Sequence, residues 1–106
     1  MIDSQTIEKA ANILVASAPR GSKVILFGSQ ATGLADSRSD VDFMVVEPSV
    51  QNRVREMLRL TDALRPLRLA VDVLVISSHA FEHWRNTPNS IAYQVAREGR
   101  VYGPST

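Results

Sequence analysis

The chain contains no cysteine, which excludes disulfides and thiolate metal sites and is compatible with a reducing compartment. Charge of one sign is not in excess either. Lysine and arginine number 12 against 11 aspartates and glutamates, a net charge of +1 that argues against a general nucleic-acid coat. No apolar stretch approaches the roughly 20 residues of a membrane span. Met1-Ile2-Asp3-Ser4-Gln5 lacks the basic start and apolar core of a signal peptide. No repeat, low-complexity tract or linker interrupts the sequence. The expectation is one cytoplasmic globular domain spanning residues 1–106, with 44% hydrophobic and 22% charged residues, able to bury about two-thirds of its unfolded surface.

What is there concentrates in one segment. Residues 28–42 begin with Gly28-Ser29 and end with Asp40-Val41-Asp42. The Gly-Ser pair closes one apolar run, Val24-Ile25-Leu26-Phe27, and the acids open another, Phe43-Met44-Val45-Val46. Two strands joined by a small-residue loop would set backbone N–H groups opposite two carboxylates. That arrangement suits a nucleoside triphosphate, with N–H donors and a hydroxyl on the phosphates and carboxylates holding Mg²⁺ against them. Gly28 to Gly33 is not a Walker loop, because no Lys-Ser or Lys-Thr follows it.

Side chains of a strand repeat every two residues, so Asp40 and Asp42 share a face with Met44 and Val46, opposite Val41, Phe43 and Val45. A third acid, Asp72, sits inside Leu69-Ala70-Val71-Asp72-Val73-Leu74-Val75-Ile76, which reads as another buried strand. It is either a strand-end acid or arginine partner, or a third carboxylate of the same cluster. If the strands are neighbours, three acids converge, repulsive when empty and favourable only with cations present.

The remaining chain alternates helix and strand. Ser4 or Thr6 can cap a first helix through about Ser17, with Ile7, Ala10, Ala11, Leu14 and Val15 on one stripe. Strands follow at about Lys23–Phe27, Val41–Glu47 and Leu69–Ile76. A helix from about Val50 to Leu64 would bury Val50, Val54, Met57, Leu58 and Leu64, and Thr87-Pro88 would open a last helix ending at Gly99. The fold expected is α/β, a mixed sheet of three or more strands with helices packed on it.

Other residues have two readings. Arg38 could touch phosphate oxygens or be a solvated loop arginine, and Ser39 could position Asp40 or be a turn serine. His79 and His83 have the spacing of two ligands on a helix face but no companion ligand, and read as surface histidines. Arg53, Arg55, Arg59, Arg65 and Arg68 read as a solvated helix face, with an acidic partner surface or RNA as the remainder. Phe81, Trp84 and Tyr93 could form an interface patch, with core packing of the C-terminal helix the equal reading for Phe81 and Trp84.

Leu26-Phe27-Gly28-Ser29-x-Ala31-x-Gly33 followed by Ser39-Asp40-x-Asp42 resembles the minimal nucleotidyltransferases, the small branch of the polymerase-β-like nucleotidyltransferase superfamily. The resemblance covers nearly the whole chain. It implies a nucleotidyltransferase fold, with Gly28 and Ser29 on the phosphates, Asp40 and Asp42 as paired ligands of two Mg²⁺ (Mn²⁺ being an alternative), and Asp72 as the third carboxylate. It also implies ATP as substrate, a HEPN-domain toxin as partner in a hetero-oligomer, and transfer of AMP to a tyrosine of that toxin. Two alternatives stay open: an antitoxin that neutralises by binding alone, and a transferase acting on a small molecule or RNA. An Arg-x-x-x-x-His motif in a neighbouring helical protein would mark the HEPN partner.

Overall fold

The computed structural model describes residues 3–34 and 40–103. Helix α1 (Ser4–Ser17) starts at Asp3, whose carboxylate accepts the Thr6 N–H at 2.7 Å. The cap is therefore one residue earlier than Ser4, the nearer of the two expected, since any short side-chain acceptor can serve there. Ile7, Ala10, Ala11 and Leu14 are buried as the periodicity requires. Strand β1 (Lys23–Phe27) leads into the single turn α2 (Ser29–Thr32), and β2 (Val41–Glu47) follows. Asn52 caps α3 (Arg53–Ala63), and a 3₁₀ turn at Arg65–Leu67 leads to β3 (Val71–Ser77).

Two elements escape the sequence pattern. Helix α4 (Ser78–Trp84) continues directly from β3, with Ser77 both ending the strand and capping the helix through its hydroxyl. No glycine or proline marks that boundary. The last helix, α5 (Ile91–Glu98), opens at Ser90 and not at Thr87, because the Ser90 hydroxyl accepts the Tyr93 N–H. Thr87 instead accepts the Ser90 N–H within the preceding turn. A short β4 (Arg100–Tyr102) then completes the sheet.

The sheet order is β3-β2-β1-β4, with β1 antiparallel to both β2 and β4 and β2 parallel to β3. This is the expected mixed α/β sheet, with helices on both faces. Val24, Leu26, Val41, Phe43, Val45, Val73 and Val75 pack with α1 and α3 on one side. Ile25, Phe27, Met44 and Val46 pack with Phe81 of α4 and Ala92 and Val95 of α5 on the other. The alternation read from β2 holds residue by residue. Among the described residues no helix is long and apolar enough to cross a membrane.

Helix α3 departs from its expected stripe. Leu60 is buried and Met57 partly so, but Val54 and Leu58 are 65% and 66% exposed. These two lie roughly 100° around the helix axis from the Met57–Leu60–Leu64 stripe. The sequence offers two apolar stripes, and only packing on β3 selects one.

At the far end of β2, Glu47 is buried beside Glu56 of α3. Arg59 donates Nε to Glu56 Oε1 at 2.7 Å and a terminal N–H to Oε2 at 2.9 Å, and another to the Ser17 carbonyl at 2.9 Å. This clamps α3 to the end of α1. Burial, and then the hydrogen bond with Glu56, push the Glu47 carboxyl up to about 8, while Arg59 holds Glu56 down at about 2. The signs oppose. The folded state keeps a proton on Glu47 that the unfolded chain loses above 4.5, so stability falls as pH rises from 4.5 towards 8. Glu56 contributes stability above its ordinary value that is lost as pH falls towards 2. In Glu47→Gln, urea denaturation should show a flatter free energy between pH 4.5 and 8, the window in which the wild type loses at most about 1.4 kcal/mol per pH unit. Parallel curves for the two proteins would remove this account.

Candidate functional site

The pairing of three strands builds the site. Phe27 at the end of β1 pairs with Asp42 near the start of β2, and Asp42 pairs with Asp72 near the start of β3. Neighbouring strands lie about 4.8 Å apart, and partners in register point to the same face. Asp42 and Asp72 therefore stand side by side on the α5 face of the sheet, at one end of it. Asp40 is exposed, just ahead of β2.

Gly28 follows β1 and precedes α2 with φ 77° and ψ −157°, a left-handed conformation that glycine adopts at little cost. A Cβ there would lie only 2.5 Å from Asp42 Oδ2. Glycine is thus favoured by conformation, and its absent side chain lets a carboxylate rest against the backbone where a Cβ would push it aside. With no side chain, Gly28 places no cap over the first N–H groups of α2. Ala31, buried in the core on the α1 side, anchors that turn, and Gly33 closes it with its N–H on the Ser29 carbonyl.

Burial raises the Asp42 carboxyl above the usual carboxylate range, with the negative charges of Asp72 and then Asp40 adding to it. The three acids thus feel one another. Among the described residues, however, no three His, Asp or Glu side chains stand close enough together to hold a metal ion as they are. The donor set still fits a hard divalent cation: it is all oxygen, it is mutually repulsive, and two members are adjacent in register. An open cavity of about 400 Å³ lies over Asp42 and Asp72, walled by Phe27, Leu58, Thr61 and Ile91.

Of the residues singled out from sequence, Gly28, Ser29, Asp42 and Asp72 come together around the β1–α2 turn and the paired strand ends. Arg38 and Ser39 lie outside the described residues. His79 and His83 are exposed on α4, at the opposite end of β3 from Asp72, and His83 meets Trp84 edge to face. Phe81 is core, Trp84 is exposed, and the Tyr93 hydroxyl accepts a hydrogen bond from Arg97 at 3.1 Å. The walls formed by Leu58 and Ile91 were not foreseen. The second apolar stripe of α3 was the available signal for Leu58.

The family model of the nucleotidyltransferase domain matches residues 7–92. Solved structures agree in fold. A nucleotidyltransferase candidate from Sulfolobus solfataricus superposes with a TM-score of 0.64 at 19% identity, covering 94% of this chain and 78% of its own. A toxin–antitoxin structure with AMP-PNP gives 0.65 at 20% identity, over 96% of this chain and 74% of that one. A tyrosine mutant of the toxin–antitoxin MntA-HpeT gives 0.64 at 19% identity, over 100% of this chain and 76% of that one. No curated protein sequence matches the chain.

The Gly28–Asp42 approach can be measured by a double-mutant cycle. Gly28→Ala should lower the free energy of unfolding by about 1–3 kcal/mol from its backbone conformation, plus the clash. In an Asp42→Ala background the clash is gone, so the cycle should return a coupling of about 0.5–3 kcal/mol. Strictly additive effects would mean that the carboxylate does not rest on this turn.

Proposed function

Because the chain belongs to the nucleotidyltransferase domain family, we propose that it transfers AMP from ATP to a tyrosine of a HEPN ribonuclease toxin and so acts as that toxin's antitoxin. The observation that supports this most is the row in which Gly28, Asp42 and Asp72 meet across three strand ends. The likeness to two toxin–antitoxin structures, one of them with AMP-PNP, supports the choice of partner and substrate.

Each residue then has a task. The backbone N–H groups at Gly28 and Ser29, with the Ser29 hydroxyl, hold the phosphates. Asp40 and Asp42 are the paired ligands of Mg²⁺ or Mn²⁺, and Asp72 supplies the third carboxylate. Bound there, the cation neutralises triphosphate charge and acidifies the attacking hydroxyl. Asp72 accepts the tyrosine proton as the phenolate oxygen bonds to the α-phosphorus. The bond from that phosphorus to its bridging oxygen breaks, and pyrophosphate leaves. Phe27, Leu58 and Ile91 shield the reacting atoms on the apolar side. A second reading, neutralisation by binding alone, is favoured by one observation: Asp40, Asp42 and Asp72 do not stand together as a ready-made set of three ligands.

Intact-mass spectrometry of a candidate HEPN toxin, sought by its Arg-x-x-x-x-His motif and incubated with this protein, ATP and Mg²⁺, decides between them. The transferase reading expects a gain of one or more AMP units. Asp40→Asn/Asp42→Asn should slow that gain on the order of 10²–10³-fold, the cost of losing preorganised charge stabilisation. An unmodified toxin neutralised equally by both proteins would establish the binding reading. Independently of transfer, Mg²⁺ with AMP-PNP should raise the Tm by roughly 4 °C or more per kcal/mol of linkage. EDTA should abolish the gain, and Asp42→Asn should lack it.

A further inference from the structure

Of the two α3 residues that face outward against expectation, Leu58 adjoins the acids. Leu58 and Thr61 line the cavity over Asp42 and Asp72, and they also line a larger groove of about 840 Å³ between α3, the 3₁₀ turn and the start of β3. Val71 is common to both as well, so the two spaces adjoin along the β3 side of the molecule. The groove is apolar at Leu58, Leu69 and Val71 and basic at its rim.

The rim is not fully neutralised. Arg59 is paired with Glu56 and Arg65 with Asp62, whereas Arg55 and Arg68 are exposed and form no ion pair among the described residues. Arg68 also has φ 53° and ψ 44°, left-handed backbone that costs a side-chain-bearing residue about 1–2 kcal/mol. A guanidinium thus occupies a position where glycine would be cheaper. No aromatic ring lines the groove, so it offers no stacking platform for the bases of a single-stranded nucleic acid. Exposed Leu58 lies there beside unpaired arginine, the charged residue that protein interfaces favour.

We propose that this groove seats an acidic, apolar-anchored segment of the acceptor protein, with Arg55 and Arg68 pairing its carboxylates and Leu58, Leu69 and Val71 meeting its apolar side chains. Seated there, the segment brings an acceptor hydroxyl to the open side of Asp42 and Asp72. The delivery rests on the transferase reading; the docking does not.

A fluorescein-labelled random copolymer of glutamate and tyrosine, an acidic polypeptide bearing phenolic hydroxyls, is a suitable probe by anisotropy at 0.15 M salt. Arg55→Ala/Arg68→Ala should weaken binding by about tenfold. Leu58→Ser, an exposed position whose change leaves the core intact, should weaken it several-fold. Lys9→Ala/Arg100→Ala removes two positive charges from α1 and the far edge strand and should leave affinity within about twofold. Equal weakening by the groove and control pairs, no binding by the wild type, or tighter binding of polyuridylate than of the copolymer would each overturn the proposal. Groove-dependent binding without AMP transfer to the tyrosines or the toxin would retire the transferase reading and leave the docking surface standing.

Discussion

The approach of the Asp42 carboxylate to the backbone at Gly28 is the constraint around which the site is arranged. It needs a residue with no Cβ, a positive φ at the end of β1, and a strand register that brings Asp42 opposite Phe27. Shift β2 by one residue and Asp42 would turn to the α1–α3 face, where Val41, Phe43 and Val45 are now buried. The hydrophobic alternation that holds the sheet together is therefore also what aims the acids. Packing and chemistry share one register.

Both ends of β2 carry a carboxyl raised above its ordinary range by burial and like charge, yet the two differ in neighbours. Glu47 has Glu56 beside it, already engaged by Arg59, and it is sealed inside the fold. Asp42 stands beside Asp72 under an open cavity with no cation of the protein's own among the described residues lining it. One end is closed to solvent, with Glu47 Oε2 buried and without a hydrogen-bond partner among the described residues. The other leaves its charge for something that enters from solution.

Much of this was legible in the sequence because period-two alternation is unambiguous in strands flanked by turn residues. The two-residue repeat puts Asp40 and Asp42 on one face with Met44 and Val46, whereas the arrival of Asp72 beside Asp42 depends on the parallel pairing of β2 with β3, which no local pattern announces. Helix α3 was less readable because Val54 and Leu58 make a stripe as apolar as the one actually packed. Helix α4 was hidden by its lack of any breaker after β3, and Thr87-Pro88 imitated a helix start that Ser90 in fact provides. Local signals mark where an element can begin; long-range packing decides which signal is used.

The parallel pairing of β2 with β3, joined through α3, has a kinetic side. The hairpin of β1 and β2 closes over a short stretch of chain, but Asp42 and Asp72 meet only when the whole crossover has folded and docked on the sheet. Contacts so distant in sequence form late, since the loop between them must be ordered first. A partly folded chain would carry the Gly28 turn without its paired acids. Ligand binding at this end of the sheet is consequently a property of the completed fold, absent from every intermediate that lacks β3.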